Sequence, residues 1–343
     1  MTEPDTAAFT GLVDLAAQTI GGRALAASDD FFAAMDNLIK PGPAIFVEGK
    51  FSERGKWMDG WESRRRRSSG HDWCVLALGA EGWLHGFDVD TRHFVGNSPQ
   101  FVSIDALRAP FDTSAERLAQ MPWREVLTPS SVRPGAQNLF VATPADAVSH
   151  VRLNIYPDGG VARLRVYGRV WPDAAPVDLD DVTQSHVAPG SVDLAALTRG
   201  GMALACSDSF FGPMNNLLLP GRAENMGGGW ETRRRRGPGH DWIIIRLGMR
   251  GTVSSIEVDT NYFKGNYPDR CSLEAIDAPG ARLTDLAAGA RWSTLLPEAK
   301  LEPDGRQFFT LAKMQASLAV THARFNIFPD GGVSRLRLWG SPR

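Results

Sequence analysis

The side chains able to do chemistry gather in one stretch of this sequence, and that stretch is written twice. Residues 60–73 read GWESRRRRSSGHDW and residues 229–242 read GWETRRRRGPGHDW, at a constant offset of 169. In an extended segment successive side chains alternate, which puts Glu62, Arg64 and Arg66 on one face and Ser63, Arg65 and Arg67 on the other. Neither face is apolar. A guanidinium fork grips a carboxylate in bidentate fashion, so Arg64 and Arg66, with Arg233 and Arg235 in the second copy, are candidates for holding an anion. Glu62 and Glu231 would then orient an arginine or act as acid or base. Four arginines in a row equally suit a solvated edge that discourages strand pairing.

Other polar residues recur around the stretch. His71 and Asp72, with His240 and Asp241, precede an apolar run, a place that can carry proton transfer or satisfy backbone groups at a strand entry. Asp88 and Asp90 return as Glu257 and Asp259 on one strand face, where two carboxylates could bind a divalent cation, raise one another's pKa, or line an exposed surface. Asn97 and Asn266, in VGNSP and KGNYP, read as turn residues first and ligand contacts second. Arg152 and Arg324 match on a strand beside His150 and His322, and strand histidines are more often structural. His93 is replaced by Tyr262, which argues against a duplicated role. Asp29 and Asp208 follow a short strand in matching Ser-Asp pairs. No G-x-G-x-x-G follows a strand, and phosphate-loop, HExxH and GxSxG patterns are missing, so nucleotide binding and serine-hydrolase chemistry have no support.

The elements that must position these residues follow from the duplication. A chain of 343 residues suits about two domains at roughly 150 residues each. Residues 1–13 read as a leader, 14–169 as the first unit, 170–192 as a Pro- and Asp-rich linker and 193–343 as the second unit. Near the start the offset is 179 rather than 169, so the first copy carries about ten extra residues around VEGKFSERGKWM, predicted as an exposed loop. Short Val- and Ile-rich runs broken by glycine predict separate strands, and FVSIDAL and CSLEAID alternate like further ones. HVRLNIYPDGGVARLRVYG and HARFNIFPDGGVSRLRLWG predict a hairpin over residues 151–168, with Pro-Asp-Gly-Gly supplying the turn. Many short strands with little helical period imply an all-β fold of two antiparallel β-sandwich domains.

Composition excludes several classes. With 43% hydrophobic and 22% charged residues each half can bury a core, and a formal net charge of -2 gives no overall pull toward nucleic acid or an anionic membrane. No basic leader with an apolar run and no membrane-length apolar segment is present in the sequence, which points to a cytoplasmic protein. Cys74, Cys206 and Cys271 each align with a plain apolar residue in the other copy, so buried structural thiols are expected.

The order GWESRRRR, GHDW, LG, VDT, F-x-GN-x-P and PDGG with RLR, in both copies, resembles the allantoicase family over nearly the whole chain outside leader and linker. That resemblance implies two tandem jelly-roll domains of the galactose-binding-like kind and a homo-oligomer. It also implies a hydrolase of purine breakdown, acting on C–N bonds in linear amidines and splitting allantoate into ureidoglycolate and urea. Allantoate is a carboxylate whose α-carbon bears two ureido groups. Its cleavage needs a general acid for the leaving nitrogen and a base or metal to activate water. Glu62, His71 and Asp72, with Glu231, His240 and Asp241, are the proton-transfer candidates. Arg64, Arg66, Arg233 and Arg235 would hold the carboxylate, with Asn97, Asn266, Arg152 and Arg324 as further substrate contacts. A divalent metal ion is left open as a cofactor, without an assigned ligand set. The rival class is a non-enzymatic tandem jelly-roll module binding a sugar or small anion.

Overall fold

The structure, a computed structural model, describes residues 8–171, 181–288, 290–311 and 318–343. It divides into two units, Met1–Trp171 and Pro172–Arg343. The first contains β1 (Arg23–Ala27), β2 (Trp61–Glu62), β3 (Asp72–Asp90), β4 (Phe101–Leu107), β5 (Arg124–Ser131), β6 (Gln137–Val141), β7 (Val148–Tyr156) and β8 (Arg163–Val170). The second repeats the set as β9 (Met202–Cys206), β10 (Trp230–Glu231), β11 (Asp241–Asp259), β12 (Arg270–Ile276), β13 (Ser293–Lys300), β14 (Arg306–Thr310), β15 (Ala319–Phe328) and β16 (Arg335–Pro342).

One 19-residue strand organises each unit. The first part of β3 pairs with β1 and β7, and β7 continues to β4 and β5. Its second part pairs with β8 and β6. All of these pairings are antiparallel, so β3 leaves one sheet of a sandwich and enters the other. The glycines that were expected to separate strands instead let a single strand bend between the sheets. A Cβ on Gly82 would stand 2.4 Å from the Arg169 carbonyl oxygen, and one on Gly248 2.2 Å from that of Arg199.

The expected hairpin is corrected in the same way. Strands β7 and β8 do not pair with each other; both pair with β3, on its two halves. Pro-Asp-Gly-Gly makes its turn, with Gly159 at φ 137° and Gly331 at φ 136°, but the turn carries the chain from one sheet to the other. Alternation and turn chemistry were both read from the sequence, yet neither says which neighbour a strand will choose.

Between the sheets lie Leu76, Ile104, Val151, Leu153 and Ile155 from one side and Phe87, Val89, Leu164 and Val166 from the other, all fully buried. Each such side chain contributes about 1.5–3 kcal/mol by leaving water. Cys74 and Cys271 belong to this core, Cys206 is only partly buried, and all three are unbridged thiols. Burial pushes the Cys271 thiol up to about 12. The extra segment of the first unit is exposed as expected and folds on itself through a two-by-two pairing of Phe51–Ser52 with Gly55–Lys56. Of the leader, residues 1–7 lie outside the described residues, and Phe9 is buried in the first unit. Of the linker, residues 172–180 lie outside them, while His186 stacks on Phe308 of the second unit at 4.3 Å. Among the described residues no helix is long and apolar enough to cross a membrane.

Candidate active site

Four loops meet at one rim of each sandwich, and their backbones fix one another. In the first unit Glu62 pairs with Gly160 on one side and bridges to Ala33 on the other, while the Gly160 N–H donates to the Asn97 carbonyl at 2.8 Å. Gly160 lies against the buried Phe94, where a Cβ would come within 2.1 Å of the ring. Alternation along β2 then sorts the side chains. Trp61 points inward, fully buried, and its indole N–H donates to the Asp29 carbonyl at 2.9 Å. Ser63 is also buried, against Gly159. Glu62 and Arg64 therefore turn outward. The second unit repeats each step with Trp230 on Asp208, Thr232 on Gly331, and Gly332 donating to Asn266.

At this rim the Asn97 amide donates to a Glu62 carboxylate oxygen at 2.6 Å, and Asn266 does the same to Glu231 at 2.6 Å. Burial raises the pKa of Glu62, and the hydrogen bond from Asn97 offsets part of that rise. Beside it Arg64 is fixed on two sides. Asp29 takes its Nε at 2.7 Å and its Nη2 at 2.6 Å, and the guanidinium lies over the Phe31 ring at 5.0 Å. Against the upward push of burial, the hydrogen bonds from Arg64 hold Asp29 below the usual carboxylate range. Arg233 is held alike by Asp208, at 3.0 Å, and by Phe210, at 4.9 Å. The result is a half-buried carboxyl held by an amide, on the same outward face as a guanidinium whose orientation is set before any ligand arrives.

The remaining predicted residues make contacts of their own. Arg66 donates to Asp72 at 2.7 Å, and Ser28 donates to the same carboxylate oxygen at 2.9 Å. Asp72 is 2% exposed, and Arg235 with Asp241, at 2.5 Å, repeats the arrangement. These pairs brace the arginine loop against the start of the long strand. His71 and His240 pack on Tyr156 and Phe328, each at 4.6 Å, on the outer face of the sheet where β7 and β15 run into the Pro-Asp-Gly-Gly turns of the rim.

A second polar group occupies that face. Arg152 binds Asp105 at 2.8 Å and lies over Trp123, while Asn154 donates to Ser103 and Asp105. Arg324, Glu274, Trp292, Asn326 and Ser272 reproduce it. In the second unit Arg324, Glu274, Asn326 and Ser272, with His240 at 3.3 Å from the Asn326 side-chain oxygen, line an open cleft of about 680 Å³. Sequence reasoning had no role for Asp105, Asn154, Ser103 or Phe31. The signal was present: FVSIDAL and HVRLNIY alternate, and their outward positions are polar in both copies.

Three further expectations resolve simply. Asp88, Asp90, Glu257 and Asp259 are buried, not an exposed face. They take Gln137, Arg92, Arg306 and Arg222 as partners respectively. Among the described residues no three His, Cys, Asp or Glu side chains gather as a metal cluster. His150 and His322 are buried beside Ser149 and Thr321, and burial lowers the pKa of both. His93 and Tyr262 share a left-handed backbone, φ 73° and 70°, so the duplicated feature there is conformational.

Comparison with known proteins agrees with this two-unit layout. The family model described as "Allantoicase repeat" matches residues 13–171 and again 192–343. The chain is 45% identical to a probable allantoicase 1 of Burkholderia mallei, covering 99% of this chain and 98% of that protein. It is 46% identical to a probable allantoicase of Photobacterium profundum, covering 97% of each. The crystal structure of allantoicase from Saccharomyces cerevisiae superposes with a TM-score of 0.81 at 33% identity, over 99% of both chains.

Proposed function

The chain belongs to the allantoicase family and is a hydrolase acting on allantoate; on that premise we propose that the cleavage to ureidoglycolate and urea takes place at the rims. The units concerned are residues 14–169 and 193–343. The observation that carries this reading is the pairing of a half-buried Glu62, held by Asn97, with an Arg64 anchored by Asp29 and Phe31, repeated in the second unit.

The chemistry follows from where charge and protons must go. Arg64 offers the guanidinium edge that Asp29 does not occupy to the substrate carboxylate. Glu62, whose pKa is raised by burial, gives its proton to the leaving ureido nitrogen. The C–N bond then breaks with its electron pair on that nitrogen, and urea departs. The lone pair on the other ureido nitrogen forms a C=N bond to the α-carbon. Water adds to that carbon and surrenders a proton to the Glu62 carboxylate, which restores the acid and leaves ureidoglycolate. Asn97 keeps the carboxyl aimed through the cycle. Arg66 and Asp72 hold the loop and take no part in the proton transfer.

With the family reading go a cytoplasmic location and a homo-oligomeric assembly, the latter checked by sedimentation of the purified protein. The reaction is tested by incubating the protein with allantoate. Urea and ureidoglycolate released in equal amounts bear the reading out, and a parallel series with chelator shows whether a divalent ion contributes. Absence of both products under every metal condition would return the protein to the class of small-anion binding modules.

A further inference from the structure

Away from both rims, the second unit contains a cavity of about 210 Å³ lined by five arginines and three carboxylates, with Trp339, Pro220, two threonines and two neighbours of alanine size or smaller completing the wall. Its charge has a cause visible in the duplication. In the first unit the buried Arg163 is neutralised by Asp59: Nη2 meets the carboxylate at 2.6 Å and Nη1 meets the Asp59 carbonyl at 3.0 Å. The counterpart of Arg163 is Arg335, and the counterpart of Asp59, at the offset of 169, is Gly228. Arg335 keeps the carbonyl contact, at 2.7 Å to Gly228, and has lost the carboxylate.

The hydrogen bonds of Arg335 go to carbonyl oxygens, of Gly221, Asn216, Gly228 and Ser334, and the nearest carboxylate, Asp259 on the paired strand, makes no hydrogen bond to it. Its Nη2 makes no hydrogen bond among the described residues. Arg337 lies alongside and is shared between the Gly221 carbonyl and Asp193. Arg222, at the mouth and 46% exposed, stands 3.6 Å from Asp259. Burial raises the pKa of both Asp193 and Asp259, and their arginine partners offset part of that rise. A buried guanidinium with no carboxylate hydrogen-bonded to it is costly, and a cavity beside it admits a compensating ion.

We propose that this cavity of the second unit is a binding site for a small oxyanion, a short carboxylate or inorganic phosphate, held by Arg335, Arg337 and Arg222 where the first unit uses Asp59. The size fits: a water takes about 30 Å³ of liquid, so the space holds an ion of a few heavy atoms and excludes a nucleotide. Trp339 and Pro220 give such an ion an apolar wall. This site is independent of the rim chemistry and does not rest on it.

The test is calorimetric titration of the full chain with glycolate and, separately, with phosphate, at ionic strength held constant with sodium chloride. Saturable binding of either ion is expected, and which binds more tightly identifies the source of the oxyanion. In Gly228→Asp the protein supplies its own carboxylate to Arg335, and this component of binding disappears. A Cβ there would meet only Ala223, at 3.2 Å, a contact that asks for a small local adjustment. Arg222→Ala, at a half-exposed position that leaves the core intact, weakens binding about tenfold, the scale of one charge-assisted hydrogen bond. Failure of wild-type protein to bind either ion overturns the proposal, as does an affinity unchanged in both variants.

Discussion

The two units agree at the rim and disagree at the waist, the set of buried charges inside each unit away from the rim. At the rim the Glu–Asn pair has the same 2.6 Å separation in both, and the neighbouring arginine has the same aspartate and phenylalanine around it. At the waist, Asp88 with Gln137 has become Glu257 with Arg306, and Asp59 with Arg163 has become Gly228 with Arg335. A core asks only that volume be filled and buried charge be balanced, and several residue sets satisfy that. A reacting molecule asks for one arrangement of acid, amide and guanidinium. The contrast separates the part of the molecule shaped by chemistry from the part shaped by packing.

The contrast can be broken most sharply at the buried arginines. Asp59→Asn leaves Arg163 buried without its counter-charge and should cost about 3–5 kcal/mol of stability, seen as an early-melting first unit. Gly228→Asp should change stability in the opposite direction, and by less, because Ala223 must yield slightly. If both substitutions destabilise equally, the two waists are not the alternatives described here.

The rim and the outer sheet face are separated by a second comparison. Arg64→Ala combined with Arg233→Ala should raise KM for allantoate about 10–100-fold, as loss of a charged hydrogen bond does, with a smaller change in kcat. Arg152→Ala with Arg324→Ala removes partners of Asp105 and Glu274 and should act mainly on stability. The reverse ranking in steady-state kinetics would move the substrate onto the sheet face. A milder effect is expected from Asn97→Ala with Asn266→Ala. The hydrogen bond from Asn97 lowers the Glu62 pKa, so its loss raises that pKa further, and the alkaline limb of the kcat profile should shift to higher pH.

The smallest effect concerns stability against pH in the first unit. Burial pushes Asp88 up to about 6, with the Gln137 hydrogen bond only partly offsetting it. A carboxyl whose folded pKa exceeds its unfolded value contributes stability below the unfolded value, near 3.8, and loses it as pH rises through about 6. Asp88→Asn should therefore raise the melting temperature at pH 7 to 8 while changing little at pH 4. Gln137→Arg, which copies Arg306, should flatten the same pH dependence.

Much of the fold was readable because a duplicated sequence is its own control. The repeated Pro-Asp-Gly-Gly marked a turn, the offset of 169 marked the two units, and alternation marked the strands. Strand pairing was not readable, since β7, β8 and the two halves of β3 all alternate and no local signal distinguishes a hairpin from a crossing between sheets. At the site, Glu62, Asn97 and Arg64 were named from residue type and recurrence. That Arg66 is consumed by Asp72 was hidden, because the two meet only after the loop of residues 66–72 closes on itself. Asp105 and Asn154 were missed for a similar reason: register brings them beside Arg152, and register is a property of three strands together.

The most direct measurement compares urea release from allantoate by Glu62→Gln, Glu231→Gln and the double variant, each confirmed to be folded. Two working rims predict that each single variant keeps about half the wild-type kcat and that the double variant falls by about 10² or more, the scale of a lost general acid. A double variant that still turns over at the wild-type rate would contradict the rim as the place of reaction. A single variant as inactive as the double would show that only one of the two rims works, despite their matching geometry.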